Sequence, residues 1–308
     1  MTKPWIALAL TTAALIGHTA HAVEVNFQPV APGVYAHVGE TDGRTHENEA
    51  LNANIGLVVT PDGALLIDPG ATFQSARQIA QAAKKVTPQP IQWVINTGGQ
   101  DHRWLGNGYF KAQGAEIIAH ANAEADMKAR AQQHLSALRP VLKEKLDGTE
   151  PVYPTRWLQG PDNTLVFGGI TVEVKHRQGG HTPGDSLVWL PQSGVMFTGD
   201  VVYVDRTLGL HPVSRTKAWL DSFAVIDQIQ PKIIVPGHGR VTDLATARKD
   251  TRDLLLALRQ HMGRAVEEGT DLSTAVKTFD AAPFKHLQHA DVWLPQLANL
   301  TYLEMERE

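Results

Sequence analysis

The 308-residue chain is 43% hydrophobic and 19% charged, enough apolar content for a substantial core. Its formal charge of −4 offers no basic surface for nucleic acid, and the absence of cysteine excludes disulfides and thiolate metal ligands. His, Asp, Glu and Gln remain as the candidate ligands of any metal.

In chain order, the first feature is a leader. Lys3 precedes an apolar run over 6–16, and Ala20-His21-Ala22 fits a small-x-small cleavage rule. Residues 1–22 are therefore expected to be a signal peptide, giving a periplasmic or secreted product free of the membrane once cleaved. The run is short for a permanent anchor, which is the other use of such a segment.

Short strands are expected next, at 33–39, 54–60 and 64–67, the last two joined by a hairpin centred on Asp62-Gly63. The polar stretch 40–49 reads as a mobile loop. A helix is expected over 71–86, with Ala80, Ala83 and Val86 on one spacing, and a buried strand over 91–96 that runs into Gly98-Gly99. A short helix over 106–113, a strand over 116–119 and a long amphipathic helix over 122–142 follow. Strands are read at 164–167, 171–175, 186–190, 195–198 and 232–235, with a helix over 217–229 before the last. From Asp243 the pattern is helical nearly to the end.

Two stretches, 61–68 and 191–200, each run turn, apolar strand, terminal Asp, which suggests a duplicated β-rich half. No Pro- or Ser-rich linker divides the chain. The pattern predicts an α/β sandwich over 23–245, with a helical extension over 246–308 packed on the same domain.

Three polar residues fall just past strand ends. His181 lies in Gly179-Gly180-His181-Thr182-Pro183-Gly184, Asp200 follows Phe197-Thr198-Gly199, and His238 lies in Pro236-Gly237-His238-Gly239. Glycines beside such residues let the backbone approach closely, and two His with one Asp suit a divalent cation. Singly, each also suits a hydrogen-bonded loop or cap.

Together, Gly-His-Thr-Pro-Gly at 180–184, Phe-Thr-Gly-Asp at 197–200 and Pro-Gly-His-Gly at 236–239 resemble the later motifs of the metallo-β-lactamase superfamily. Leu66-Ile67-Asp68-Pro69-Gly70 resembles its early strand, and Asn96-Thr97 with Gly106-Asn107 frames its main metal loop. The resemblance covers roughly 30–245 and implies a four-layer αββα sandwich with the site on one sheet edge. The C-terminal Asn299-x-x-Tyr302-x-Glu304-Met305-Glu306 resembles secreted members associated with sulfur-compound oxidation or quinoprotein systems.

The departure from the family lies in the metal loop. Where the family carries H-x-H-x-D-H, the ungapped register places Gly98, Gln100, His102 and Arg103. A one-residue gap would match Asp101-His102 to the final D-H but displace Gly106-Asn107. The resemblance then implies one metal per chain rather than two. His102, Asp200 and His238 would be its ligands, with an open fourth position, and His181 a fourth ligand or a partner behind them. Zinc is the expected ion. Iron, in a persulfide-dioxygenase-like site, is the alternative and would want the missing early His pair.

On that reading Asp200 orients a water, His181 or His102 shuttles a proton, and Gln100 or Arg103 stabilises an oxyanion. Arg103 has two open placements, an ion pair with Asp200 or a swing out to solvent. Asp68 is expected to hold the metal loop by hydrogen bonds and Trp104 to sit in the core; Asp101 is either an acid behind the ligands or a solvent-facing loop residue, the latter being favoured. The 40–49 loop, with Arg44 and His46, and the 208–215 segment, with His211, are expected to flank the site. His286 and His289 are given no metal role. The expected activity is hydrolysis of a small-molecule ester, lactone, thioester or amide. The competing expectation is a non-hydrolytic periplasmic binding or accessory protein on the same fold, with no metal.

Overall fold

Side-chain alternation along the strands sorts the chain into layers. The computed structural model describes residues 24–308; the expected signal peptide, residues 1–22, lies outside the described residues. The first sheet has seven strands in sequence order: β1 (Gln28–Ala31), β2 (Val34–His37), β3 (Ile55–Thr60), β4 (Gly63–Ile67), β5 (Ile91–Ile95), β6 (Glu116–His120) and β7 (Arg156–Leu158). Its first four strands pair antiparallel and the rest parallel. The second sheet runs β12-β11-β10-β9-β8, with β8 (Asp162–Phe167), β9 (Ile170–His176), β10 (Ser186–Leu190), β11 (Val195–Phe197) and β12 (Ile233–Val235). Only β11 and β12 pair parallel there.

In β4, Leu65 and Ile67 point inward and join Val188, Val195 and Phe197 of the second sheet in the central core. Their neighbours Ala64 and Leu66 point outward, against Ala76, Ile79 and Ala83 of α1 (Phe73–Val86). Thr72 caps α1 by accepting from the Ser75 amide, and the Ser75 hydroxyl oxygen in turn accepts from the Thr72 amide. The same division recurs in β11, where Met196 faces outward against Trp219, Phe223 and Ile226 of α5 (Thr216–Ile229). The result is helices, sheet, sheet, helices: the four-layer αββα sandwich, with central strands such as β3, β4 and β11 buried on both faces and alternate positions of β8 exposed.

The remaining helices are α2 (Asp101–Trp104), α3 (Asn107–Ala112), α4 (Asn122–Leu142), α6 (Leu244–Ala247), α7 (Asp253–Glu267), α8 (Leu272–Thr278) and α9 (Ala290–Met305). Leu254, Leu258 and Met262 of α7 and Leu294, Leu297 and Ala298 of α9 share the core cluster beneath the second sheet. The C-terminal motif supplies fasteners. Tyr302 donates to the Thr270 carbonyl at 2.8 Å, and the Glu304 carboxylate accepts from the Thr216 amide (2.9 Å) and hydroxyl (2.8 Å) at the start of α5. Among the described residues, no helix is long and apolar enough to cross a membrane.

Several local readings are corrected. The hairpin turn is centred on Pro61-Asp62, because Gly63 already pairs with Thr60. Strands β1 and β7 are additional; both are short edge strands whose pattern is too brief to read. The glycine-rich segment after β5 is followed at once by a helical turn, α2, which carries the altered motif. The C-terminal helical pattern is broken near His289, whose φ of 65° is left-handed.

Candidate metal centre

The site gathers where five strands end. Beyond β4, Asp68 takes a left-handed φ of 65°, a conformation Asp tolerates better than most residues. Its carboxylate accepts from the Thr97 amide and hydroxyl, both at 2.8 Å, and so clamps the loop after β5. That is the loop-holding role expected of it. Asn54, at the start of β3, does the same for the loop after β12, donating to the Pro236 carbonyl at 2.9 Å and the Gly239 carbonyl at 2.7 Å.

Arg103 lies at the centre and is 1% exposed. Nε and Nη2 grip the Asp200 carboxylate at 3.2 and 2.7 Å. Nη1 donates to Asp68 at 2.8 Å and to the Asn54 carbonyl at 3.1 Å, and Nη2 donates also to the Gly237 carbonyl at 3.0 Å. A guanidinium has five N–H donors, and these contacts use them all. A Cβ at position 237 would lie 2.6 Å from Nη2, so glycine there is what admits the arginine. Of the two placements open for Arg103, the ion pair is the one formed. Its expected role as an oxyanion donor is corrected: no N–H remains for a substrate, and the side chain is walled off from the cavity.

Burial alone would raise the Asp200 carboxyl, but Arg103, with His102 and His181 behind it, holds it well below the usual range. The reciprocal effect keeps Arg103 protonated: burial disfavours the cation, and Asp200 and Asp68 together outweigh that.

Around Asp200 stand three histidines, two of which form a tight group with it. His102, Asp200 and His238 each offer a ligand atom, and these atoms lie within 4.8 Å of one another. His238 Nδ1 donates to the Asn52 carbonyl at 2.7 Å, which fixes its tautomer and turns the Nε2 lone pair towards Asp200 Oδ1, 3.2 Å away. Burial lowers the His238 pKa to about 3, so the ring is neutral. A lone pair thus confronts a carboxylate oxygen with no proton between them, an arrangement that a cation resolves. His102 Nε2 meets Asp200 Oδ2 at 3.2 Å. Its Nδ1 lies 3.1 Å from Asp101 Oδ1 and 2.9 Å from Arg44 Nη2. Asp101 favours the Nδ1–H tautomer, which frees Nε2 as a ligand, whereas Arg44 favours the opposite one.

His181 stands slightly apart. Its Nδ1 is 3.5 Å from Asp200 Oδ2 and, though buried, has no hydrogen-bond partner; burial keeps the ring neutral. It packs edge-on against Trp219 and His211. Gln100 lines the same cavity, but its Oε1 accepts from Arg130 at 3.2 Å, so its oxygen is already engaged.

Gly98 stands where the first ligand of the motif would be, and the space beside it is filled. A Cβ at Gly98 would lie 2.6 Å from Asp185 Oδ1. Asp185 occupies that space, accepting from the Thr182 amide at 2.7 Å, and burial with the nearby Asp200 charge lifts its pKa to about 8. Of the two readings of Asp101, the favoured solvent-facing one is corrected: it is 2% exposed, paired with Arg44 and bonded to the His102 amide, which is the placement of an acid behind the cluster. Arg44 and residues 208–211 line a cavity of about 220 Å³ over the cluster. Trp104 is in the core, as expected; His286 Nε2 lies 2.8 Å from Asp250 Oδ1, and His289 Nε2 lies 3.4 Å from Asp42 Oδ1. Sequence reasoning missed Asn52, Tyr203, Arg206 and Trp293. The ring of Tyr203 stacks on His238 with centroids 4.8 Å apart. Nothing in Asp205-Arg206-Thr207 marks the arginine, which reaches the cavity only through the fold.

This sandwich and this loop-built site define a superfamily. The chain belongs to the metallo-beta-lactamase superfamily, whose model matches residues 48–238. It is 31% identical over 200 residues to a metallo-beta-lactamase type 2 of Bacillus cereus, covering 63% of this chain and 70% of that protein. It is 25% identical over 202 residues to the acyl-coenzyme A thioesterase MBLAC2 of Gallus gallus, covering 60% and 72%. Its structure is similar to that of the sec-alkylsulfatase Pisa1 from Pseudomonas sp., with a TM-score of 0.73 at 17% identity. That likeness covers 90% of this chain and 50% of the sulfatase and concerns the fold alone. The superfamily generally binds zinc, and the His-His-Asp cluster is the matching feature of this chain.

Proposed function

We propose that the protein is an exported hydrolase with one zinc per chain, cleaving an ester, lactone, thioester or amide bond of a small molecule in the periplasm or outside the cell. One observation carries the reading: the Nε2 lone pair of neutral His238 faces the ionised Asp200 carboxylate at 3.2 Å, with His102 Nε2 on the same carboxylate. His102, Asp200 and His238 would hold the ion. Bound there, zinc supplies Lewis acidity and a water acidified to near neutrality.

The protein groups around it have separable tasks. The Asn52 carbonyl orients His238, and Asp101 orients His102, as acceptors behind metal-binding histidines do. Arg103 locks Asp200 in one rotamer and keeps it ionised. His181, neutral and with Nδ1 unpartnered 3.5 Å from Asp200, is placed to serve as a fourth ligand or to hydrogen-bond a water on the Asp200 side of the cavity. A β-lactamase and a thioesterase among the relatives support acyl transfer to water as the reaction class.

A second reading is favoured by the Arg103 fork. The guanidinium already balances Asp200 where the family has a metal-binding histidine, which suits a metal-free binding or accessory protein. Elemental analysis of protein purified without chelator, beside His238→Ala and His102→Ala, separates the two. About one zinc per chain, lost in both variants, is the expected result. No metal after incubation with excess zinc overturns the hydrolase reading and leaves the second.

A further inference from the structure

Arg206 differs from Arg103 in one respect. It is 5% exposed and lines the cavity above the cluster, yet no carboxylate stands within ion-pair distance among the described residues. Its Nε has no hydrogen-bond partner, and its one hydrogen bond is a long contact of 3.5 Å from Nη1 to the Asp42 carbonyl. The guanidinium instead lies over two aromatic rings, 4.7 Å from the Trp293 centroid and 5.9 Å from that of Tyr203. Burying an unpaired guanidinium is costly, and cation–π contacts offset only part of that cost. Burial lowers its pKa from the ordinary value, but an arginine stays charged.

A second arginine points the same way. Arg44 lines the same cavity, and its Nε is also buried without a partner, although Nη2 is spent on Asp101. The same lining includes the apolar side chains of Leu208, Leu210 and Leu297. The cavity lining therefore combines guanidinium donors without partners and apolar side chains.

We propose that Arg206 is a specificity-determining residue that binds an anionic oxygen group, carboxylate or sulfonate, on a substrate whose apolar part lies against Leu208, Leu210 and Leu297. The proposal names the substrate class of the hydrolase reading, but its test does not depend on the metal. Isothermal titration of the purified protein with hexanoate, hexanesulfonate and the neutral hexanamide is run twice, once in EDTA and once with zinc. At least one of the two anions is expected to bind about tenfold tighter than the amide in both conditions, about 1.4 kcal/mol.

Arg206→Gln is expected to bring the ratio below about twofold while leaving hexanamide binding in place, and Arg206→Lys to keep part of it, since lysine retains charge without the fork. Trp293→Phe, which keeps an aromatic platform, should keep the preference. Equal binding of anions and amide by the wild type overturns the proposal, independently of whether Arg206→Gln folds. So does a preference seen only with zinc, which would place the anion on the metal. A wild-type ratio retained in Arg206→Gln overturns it as well. If zinc does not bind but the anion preference persists, the hydrolase reading falls and this one stands.

Discussion

Replacing Arg103 by Met removes a fully buried cation while leaving its partners in place. Asp68 and Asp200 lose their counter-charge, and the Asn54 and Gly237 carbonyls lose their donors. Breaking a buried pair by removing one partner costs about 3–5 kcal/mol, chiefly for the charge left behind. A value of ~4 kcal/mol corresponds to a fall in Tm of roughly 8 °C for a domain of this size. Arg103→Lys keeps the charge but supplies three donors in place of five, so it should recover about half of the loss. Urea unfolding followed by circular dichroism, with chelator present, measures both variants against wild type. Zinc added to Arg103→Met should recover part of the stability, because a cation can then serve Asp200. A cost below about 1 kcal/mol for Arg103→Met would refute the argument that this guanidinium holds the site together.

Other outcomes follow from single contacts. Gly98→Ala places a Cβ 2.6 Å from Asp185 Oδ1 and should cost about 1–3 kcal/mol, read as a lower urea midpoint; an unchanged midpoint would show that Asp185 moves freely. Trp104→Ala, at a side chain with no exposure, should cost about 3–5 kcal/mol in the same assay. His176 is neutral, since its Nε2 faces the Asn122 amide and its Nδ1 the Asp185 carbonyl, and burial lowers its pKa from 6.5 to about 4. The unfolded chain then binds more protons in that window, so the contribution of His176 is full above pH 6.5 and is lost as pH falls towards 4, about 2 kcal/mol after allowance for partial solvation. Other buried histidines add declines of their own, so His176→Gln should lessen the slope between pH 6.5 and 4 by that amount, and an equal decline in both proteins would assign all of it to other groups.

The parts of the fold that were legible from residues are those whose periodicity is local. The apolar runs of β3, β4, β5, β10 and β11 announce strands buried on both faces, and Ala80, Ala83 and Val86 announce α1. The positions of His181, Asp200 and His238 were legible because glycines and strand ends mark loops that gather. What those side chains touch was not. Arg103 reads equally as an ion pair or a solvent-facing residue until Asp68, Asn54 and Gly237 are known to surround it. Asp101 reads as a loop acid because the arginine that buries it lies 57 positions earlier. Arg206 belongs to no motif, and its lack of a carboxylate partner is a property of three-dimensional packing. The turn at Pro61-Asp62 was misplaced by one residue because Asp-Gly is a strong local signal, whereas register is settled by the facing strand.

The hub at Arg103 also bears on how the molecule is made. Its partners lie 49, 35, 97 and 134 positions away, at Asn54, Asp68, Asp200 and Gly237. Contacts of such separation are entropically slow to close and form after local hairpins and helices. Asp200 therefore takes its final orientation only once the two sheets have docked, and a half-folded chain offers no prearranged cage. An ion taken up here would be loaded after folding, the reverse of a zinc finger, whose closely spaced ligands let the metal direct the chain.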